Sequence, residues 1–149
     1  MAKSSQPGRP RALIVEDEIL IALGLEADLN ELGFDACGLA ANARQAISFA
    51  MEDTPDLAVV DVYLDGVRDG IETAKTLRDF CGVPIVFVTA YGHEQGIIER
   101  IQRQVPGAPI LSKPLYGSRL AEAIAEVVKI TPSRHAQRAA AYLHAPAVH

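Results

Sequence analysis

The sequence lacks any stretch of the ~18 uninterrupted apolar residues that a membrane helix requires. Runs such as residues 85–88 are the length of a strand. Residues 1–10 have no apolar core behind their lysine, so they do not read as a secretory leader, and a cytoplasmic location is expected. Long basic runs are missing too. With 14 Lys and Arg against 19 Asp and Glu, the net charge is -5, whereas nucleic-acid binders concentrate basic charge on one face. Direct nucleic-acid contact and membrane insertion are therefore not expected. Cysteine is scarce, and Cys37 and Cys81 form no CxxC pair, so free thiols are expected. Neither GxxxxGK[ST] nor GxGxxG occurs, which counts against a nucleotide-binding enzyme. No internal repeat is present.

What the sequence does contain is an alternation of short apolar runs and helical periodicities. Strands are expected over residues 12–15, 34–39, 57–60, 85–88 and 109–112. Between and after them, apolar residues recur at helical spacing. These are Ile21, Leu25, Leu29 and Leu32, then Ala43, Ala46, Ile47 and Ala50, then Ile71, Ala74 and Leu77. Ile97, Ile98, Ile101 and Val105 follow, and finally Leu120, Ile124, Val127 and Val128. Asn42 with Gln45 reads as a capping box, and Asp69 as an N-cap. Strands that hardly alternate, each followed by a helix, predict an α/β fold with a parallel sheet covered on both faces. Residues 1–10 read as a mobile segment, 11–130 as one domain, and 131–149 as a tail that is mobile or holds a short helix near 134–144.

The polar residues gather where these strands end. Glu16 and Asp17 follow the first, Asp61 follows the third, Thr89 ends the fourth and Lys113 follows the fifth. In an open parallel sheet, ligands bind beyond the carboxyl ends of the strands, where the strand order reverses. The order 2-1-3-4-5 places that crevice between strands one and three, where the three acids meet. Converging carboxylates repel one another unless a cation joins them, and Mg²⁺ suits oxygen ligands at phosphate-handling sites. A carboxylate nucleophile, a metal, a hydroxyl and an ammonium are what formation of an acyl phosphate needs.

Four segments carry a family resemblance. Leu13-Ile14-Val15-Glu16-Asp17-Glu18, Val59-Val60-Asp61-Val62-Tyr63-Leu64, Val88-Thr89-Ala90 and Ser112-Lys113-Pro114 resemble the signatures of response-regulator receiver domains of two-component signalling, over residues 11–130. The resemblance implies a flavodoxin-like (βα)5 doubly wound fold and Asp61 as phosphoacceptor. It implies Glu16, Asp17, Asp61 and the Tyr63 backbone carbonyl as Mg²⁺ ligands, Asp17 being the more direct of the acidic pair. Thr89 and Lys113 would hold phosphoryl oxygens, and the Lys113-Pro114 bond would be cis. The donor would be a phosphohistidine on a sensor histidine kinase or a histidine phosphotransfer protein. Output would pass through contacts with a downstream protein and no output domain of its own, with self-association as a homodimer left open. The chain would not be an enzyme beyond its own phosphorylation and slow dephosphorylation.

The sequence also departs from the family pattern. Many receivers carry Tyr or Phe three residues before the lysine, where this chain has Ile110. Coupling to the switch face would then fall to Tyr91 or to the loop after Thr89. Tyr63 and Tyr91 stand two residues after the acceptor and the threonine, flanking the path of an attacking water. Two competing functions remain. A receiver fold could serve as a binding module without phosphorylation, which the intact set of site residues argues against. An aspartate-based phosphatase of the haloacid dehalogenase type would need a second Asp where Tyr63 stands. Glu18 reads as a helix-start acid, and Asp65 and Asp69 as turn and cap residues. His93 reads as an exposed loop residue, and His135, His144 and His149 match no tight metal spacing.

Overall fold

Strands with no polar alternation must be covered on both faces, and the chain meets this by returning through a helix after every strand. The computed structural model describes residues 8–64, 70–115 and 118–128. Along them run β1 (Arg11–Val15), α1 (Ile19–Glu31), β2 (Asp35–Ala40), α2 (Ala43–Glu52) and β3 (Leu57–Val60). Then come α3 (Gly70–Cys81), β4 (Ile85–Thr89), α4 (Gln95–Gln104), β5 (Ile110–Ser112) and α5 (Arg119–Val128). All neighbouring strands pair parallel, in the order β2-β1-β3-β4-β5. This is the doubly wound flavodoxin-like sheet that the family resemblance implies.

Successive strand residues point to opposite faces, and the core divides accordingly. Leu13, Val60 and Phe87 pack with Ala46 of α2, Ile71 and Leu77 of α3, and Ile97 and Ile101 of α4. Ile14, Val59 and Val88 pack on the other face with Leu25 and Leu29 of α1 and Leu120 and Ile124 of α5. The expected cap on α2 is present: Asn42 Oδ1 accepts from the Gln45 amide at 2.9 Å, and Gln45 Oε1 accepts from the Ala41 amide at 2.8 Å. Asp69 and residues 134–144 lie outside the described residues.

Two positions of α1 differ from the spacing expected. Ile21 is half-buried and Ala22 takes the buried place. Leu32 is exposed because the helix ends at Glu31 and Gly33, at φ +94°, turns the chain out of helical register. Just before β1, Arg9 reaches this same helix end. Its guanidinium donates to the Gly33 and Asn30 carbonyls at 3.1 and 2.9 Å, and it lies 3.4 Å from the Asp35 carboxylate. A cation at a helix C-terminus opposes the exposed carbonyl dipoles. Arg9→Ala is expected to lower stability by about 1 kcal/mol in urea unfolding, without changing chemistry at the opposite sheet edge.

Candidate functional site at the carboxyl edge of the sheet

The backbone of each site residue is fixed by extending the strand ladder one residue past the strand. The Glu16 amide donates to the Ala40 carbonyl at 2.8 Å, the Asp61 amide to the Val15 carbonyl at 2.9 Å, and the Lys113 amide to the Thr89 carbonyl at 2.9 Å. Side chains from three strand ends therefore meet with little freedom to move apart. Lys113 Nζ lies 2.8 Å from Glu16 Oε1 and 2.9 Å from Asp61 Oδ2. Asp17 completes the acidic group: one ligand oxygen from each of Glu16, Asp17 and Asp61 lies within 4.8 Å of the others. Thr89 is fully buried at the end of β4. The Lys113-Pro114 bond is cis, as the resemblance implies.

One ammonium is shared between two carboxylates, and the charges respond unevenly. Burial, followed by the hydrogen bond with Asp61, raises Glu16 from 4.5 to about 7, against the lowering pull of Lys113. Burial alone would lower Lys113, but the two carboxylates outweigh it and hold the ammonium above its ordinary value. The pair thus shifts in one direction, because Lys113 gains two partners while Glu16 gains a second acid as well as a cation. A carboxyl whose folded value is raised binds its proton more tightly in the folded state. Its contribution to stability is present below 4.5 and is lost as pH rises through about 7. Without divalent metal, urea midpoints should therefore fall between about pH 5 and about pH 8, and Glu16→Gln should flatten that slope.

Glu16 Oε2 is buried without a hydrogen-bond partner among the described residues. A buried carboxylate oxygen left over, beside two more carboxylates, fits a hard divalent cation better than it fits a closed ion-pair network. Glu18, by contrast, is exposed at the N-cap of α1 and stands apart from the metal-ligand group.

Both tyrosines that the sequence places near the acceptor are here, and they touch. Their ring centroids are 4.3 Å apart at an interplanar angle of 51°. Each hangs by its backbone from the residue it flanks: the Tyr63 amide donates to Asp61 Oδ1 at 3.4 Å and the Tyr91 amide to Thr89 Oγ1 at 3.3 Å. Tyr63 also packs against the α2–α3–α4 side of the core. Ile110 is half-buried against that same core, an aliphatic side chain with neither ring nor hydroxyl.

Two glycines matter here that spacing alone did not single out. A Cβ on Gly70 would come 1.8 Å from the Asp61 carbonyl oxygen, so only glycine lets α3 begin directly behind the acceptor. A Cβ on Gly92 would meet Ser112 Oγ at 2.4 Å. Neither contact has a local sequence signal, since each joins residues from different elements.

Comparison with known proteins agrees with this fold. The response regulator receiver domain profile matches residues 12–125. The transcriptional regulatory protein PdtaR of Mycobacterium tuberculosis is 36% identical over 114 residues, which is 76% of this chain and 54% of that protein. The phyllosphere-induced regulator PhyR of Methylorubrum extorquens is 38% identical over 80 residues, 53% of this chain and 30% of that one. The chain thus spans about half or less of the length of these curated relatives. Among solved structures, the signal receiver domain of a modulated diguanylate cyclase from Desulfovibrio desulfuricans G20 superposes with a TM-score of 0.72 at 36% identity, covering 81% of this chain and 94% of that one. The receiver domain of Erythrobacter litoralis PhyR superposes at 0.69 with 28% identity, covering 85% and 95%. With the sheet order, the strand-end constellation and the profile match in agreement, the chain belongs to the response regulator receiver domain family of two-component signalling.

Proposed function

We propose that this receiver is a phosphorylation-driven switch that takes a phosphoryl group onto Asp61. The observation that carries the reading is the shared ammonium: Lys113 lies within 3 Å of both Asp61 and Glu16, beside an orphaned Glu16 oxygen. An Asp61 oxygen attacks the phosphorus of a phosphohistidine on a sensor histidine kinase or phosphotransfer protein. The new P–O bond forms as the P–N bond breaks, and the imidazole leaves with the electron pair, its freed nitrogen taking up a proton from solvent. Lys113 exchanges a carboxylate contact for a phosphoryl oxygen, and the Thr89 hydroxyl donates to another. Mg²⁺ held by Glu16, Asp17, Asp61 and the Tyr63 carbonyl would neutralise charge on the transferring group.

Catalysis of this kind is mostly positioning and charge neutralisation, so the protein needs no further enzymatic activity. Signal output then runs through a changed surface offered to a downstream protein. Among the described residues, no helix is long and apolar enough to cross a membrane, and a cytoplasmic receiver fits the reading. The alternative, a binding module that works without phosphorylation, gives no reason for a buried Glu16 oxygen left over beside the ammonium.

The deciding experiment treats the protein with acetyl phosphate or phosphoramidate, with and without millimolar Mg²⁺, and follows intact mass. Gain of a single phosphoryl group is expected in Mg²⁺, and a strongly reduced gain in Asp17→Ala. An unchanged mass in both buffers would favour the binding module.

A further inference from the structure

Tyr91 lies on the turn between β4 and α4, closed by the Glu94 amide donating to the Tyr91 carbonyl at 3.1 Å. Tyr91 is 41% exposed, so burial alone does not hold its ring over Tyr63. Two other features do. One is the bond from the Tyr91 amide to Thr89 Oγ1. The other is the seat of the next residue: Gly92 sits where a Cβ would lie 2.4 Å from Ser112 Oγ, 3.3 Å from its Cα and 3.4 Å from its Cβ. Ser112 is the β5 partner of Thr89 in the sheet, so the turn rests on the strand end next to the site. Glycine is favoured by this close approach and not by its dihedral: a Cβ would have to turn the Ser112 hydroxyl aside and would still press on the Ser112 Cα at 3.3 Å, while the φ of Gly92 is not positive.

We infer that Gly92 and Ser112 are positioning residues that seat the β4–α4 turn low enough for the Tyr91 ring to meet Tyr63 and close the approach to Asp61. The inference rests on the phosphorylation reading for its consequence, but not for the contact itself. Hydrolysis of the aspartyl phosphate needs water in line with the phosphorus: a water oxygen bonds to phosphorus, the bond to Asp61 breaks, and inorganic phosphate and the carboxylate leave, with the water's proton passing to solvent. A turn lifted from Ser112 carries Tyr91 off Tyr63 and opens that line. Phosphoryl lifetime is thereby set by packing at residue 92, which touches neither phosphate nor metal ligand.

The test uses Gly92→Val, the smaller Gly92→Ala, Ser112→Ala, and the double variant Gly92→Ala with Ser112→Ala. The first readout is the nuclear Overhauser contact between the Tyr63 and Tyr91 rings in the unphosphorylated protein without metal. The second is decay of the phosphoryl group after the donor is removed, in Mg²⁺. Gly92→Val should lose the ring contact and decay on the order of tenfold faster, because reaction rate is sensitive to access and alignment of the attacking water. Gly92→Ala should show a smaller effect. The double variant should recover both readouts, since removing Oγ leaves only contacts of 3.3 Å and longer. Retention of the ring contact in Gly92→Val would overturn the positioning role, and loss of contact with an unchanged lifetime would overturn the gate. Should the wild type never gain a phosphoryl group, the phosphorylation reading fails and the ring contact still decides whether Gly92 seats the turn.

Discussion

Asp61→Asn is expected to take up no phosphoryl group from acetyl phosphate while keeping the wild-type circular dichroism. The amide has the shape of the carboxylate but is not a nucleophile, and the backbone that carries it is held by the β1 ladder, not by the side chain. A second consequence separates loss of chemistry from loss of structure. Asp61 is the second cause of the raised Glu16 value, after burial. With a neutral residue at 61, Lys113 has a single acid to serve and Glu16 ionises more easily. The fall in stability between 4.5 and about 7 should therefore become shallower in Asp61→Asn without disappearing, because burial remains. Undiminished mass gain in the variant would move the acceptor elsewhere. An unchanged pH slope would mean that the Asp61 charge does not act on Glu16.

The double variant Tyr63→Asn with Tyr91→Glu is expected to lose its phosphoryl group up to about a hundredfold faster than wild type, the scale on which misaligned attack costs a reaction. The two rings are in contact at 4.3 Å; on the phosphorylation reading they would flank the water's path, and neither has a carboxylate or amide to orient that water. Because the rings rest on one another, removing either one also loosens the other. The singles should thus be non-additive, each recovering a large share of the double variant's rate. Tyr63, packed on the core, is the more fixed partner, and Tyr91 the more exposed one. Decay of all variants at the wild-type rate would show that water reaches phosphorus by another route.

The site was legible in sequence wherever a residue's role follows from its place at a strand end. Asp61 and Lys113 could be found because apolar runs stop there and the topology of a parallel sheet sends every such end to one edge. The tyrosines could be located by offset from Asp61 and Thr89, but not their contact, which joins the loops after β3 and β4. Glu16 illustrates the same limit. Its type and position were readable, while its raised proton affinity and orphaned oxygen depend on how deeply the folded chain buries it.

By itself, then, the sequence determined the alternation of five strands and five helices, an outer place for the second strand, the acidic group, the lysine and the capping of α2, with the full sheet order implied by the family resemblance. These are local or periodic properties, written in residue type and spacing. Only the tertiary structure decided that one ammonium serves two carboxylates, that Arg9 ties down the end of α1, that Gly70 is required by its close approach to the Asp61 backbone, and that Gly92 is seated against Ser112. Each of these joins residues from separate elements, and the separation between such residues is set by packing across the sheet, for which no single stretch of chain carries a pattern.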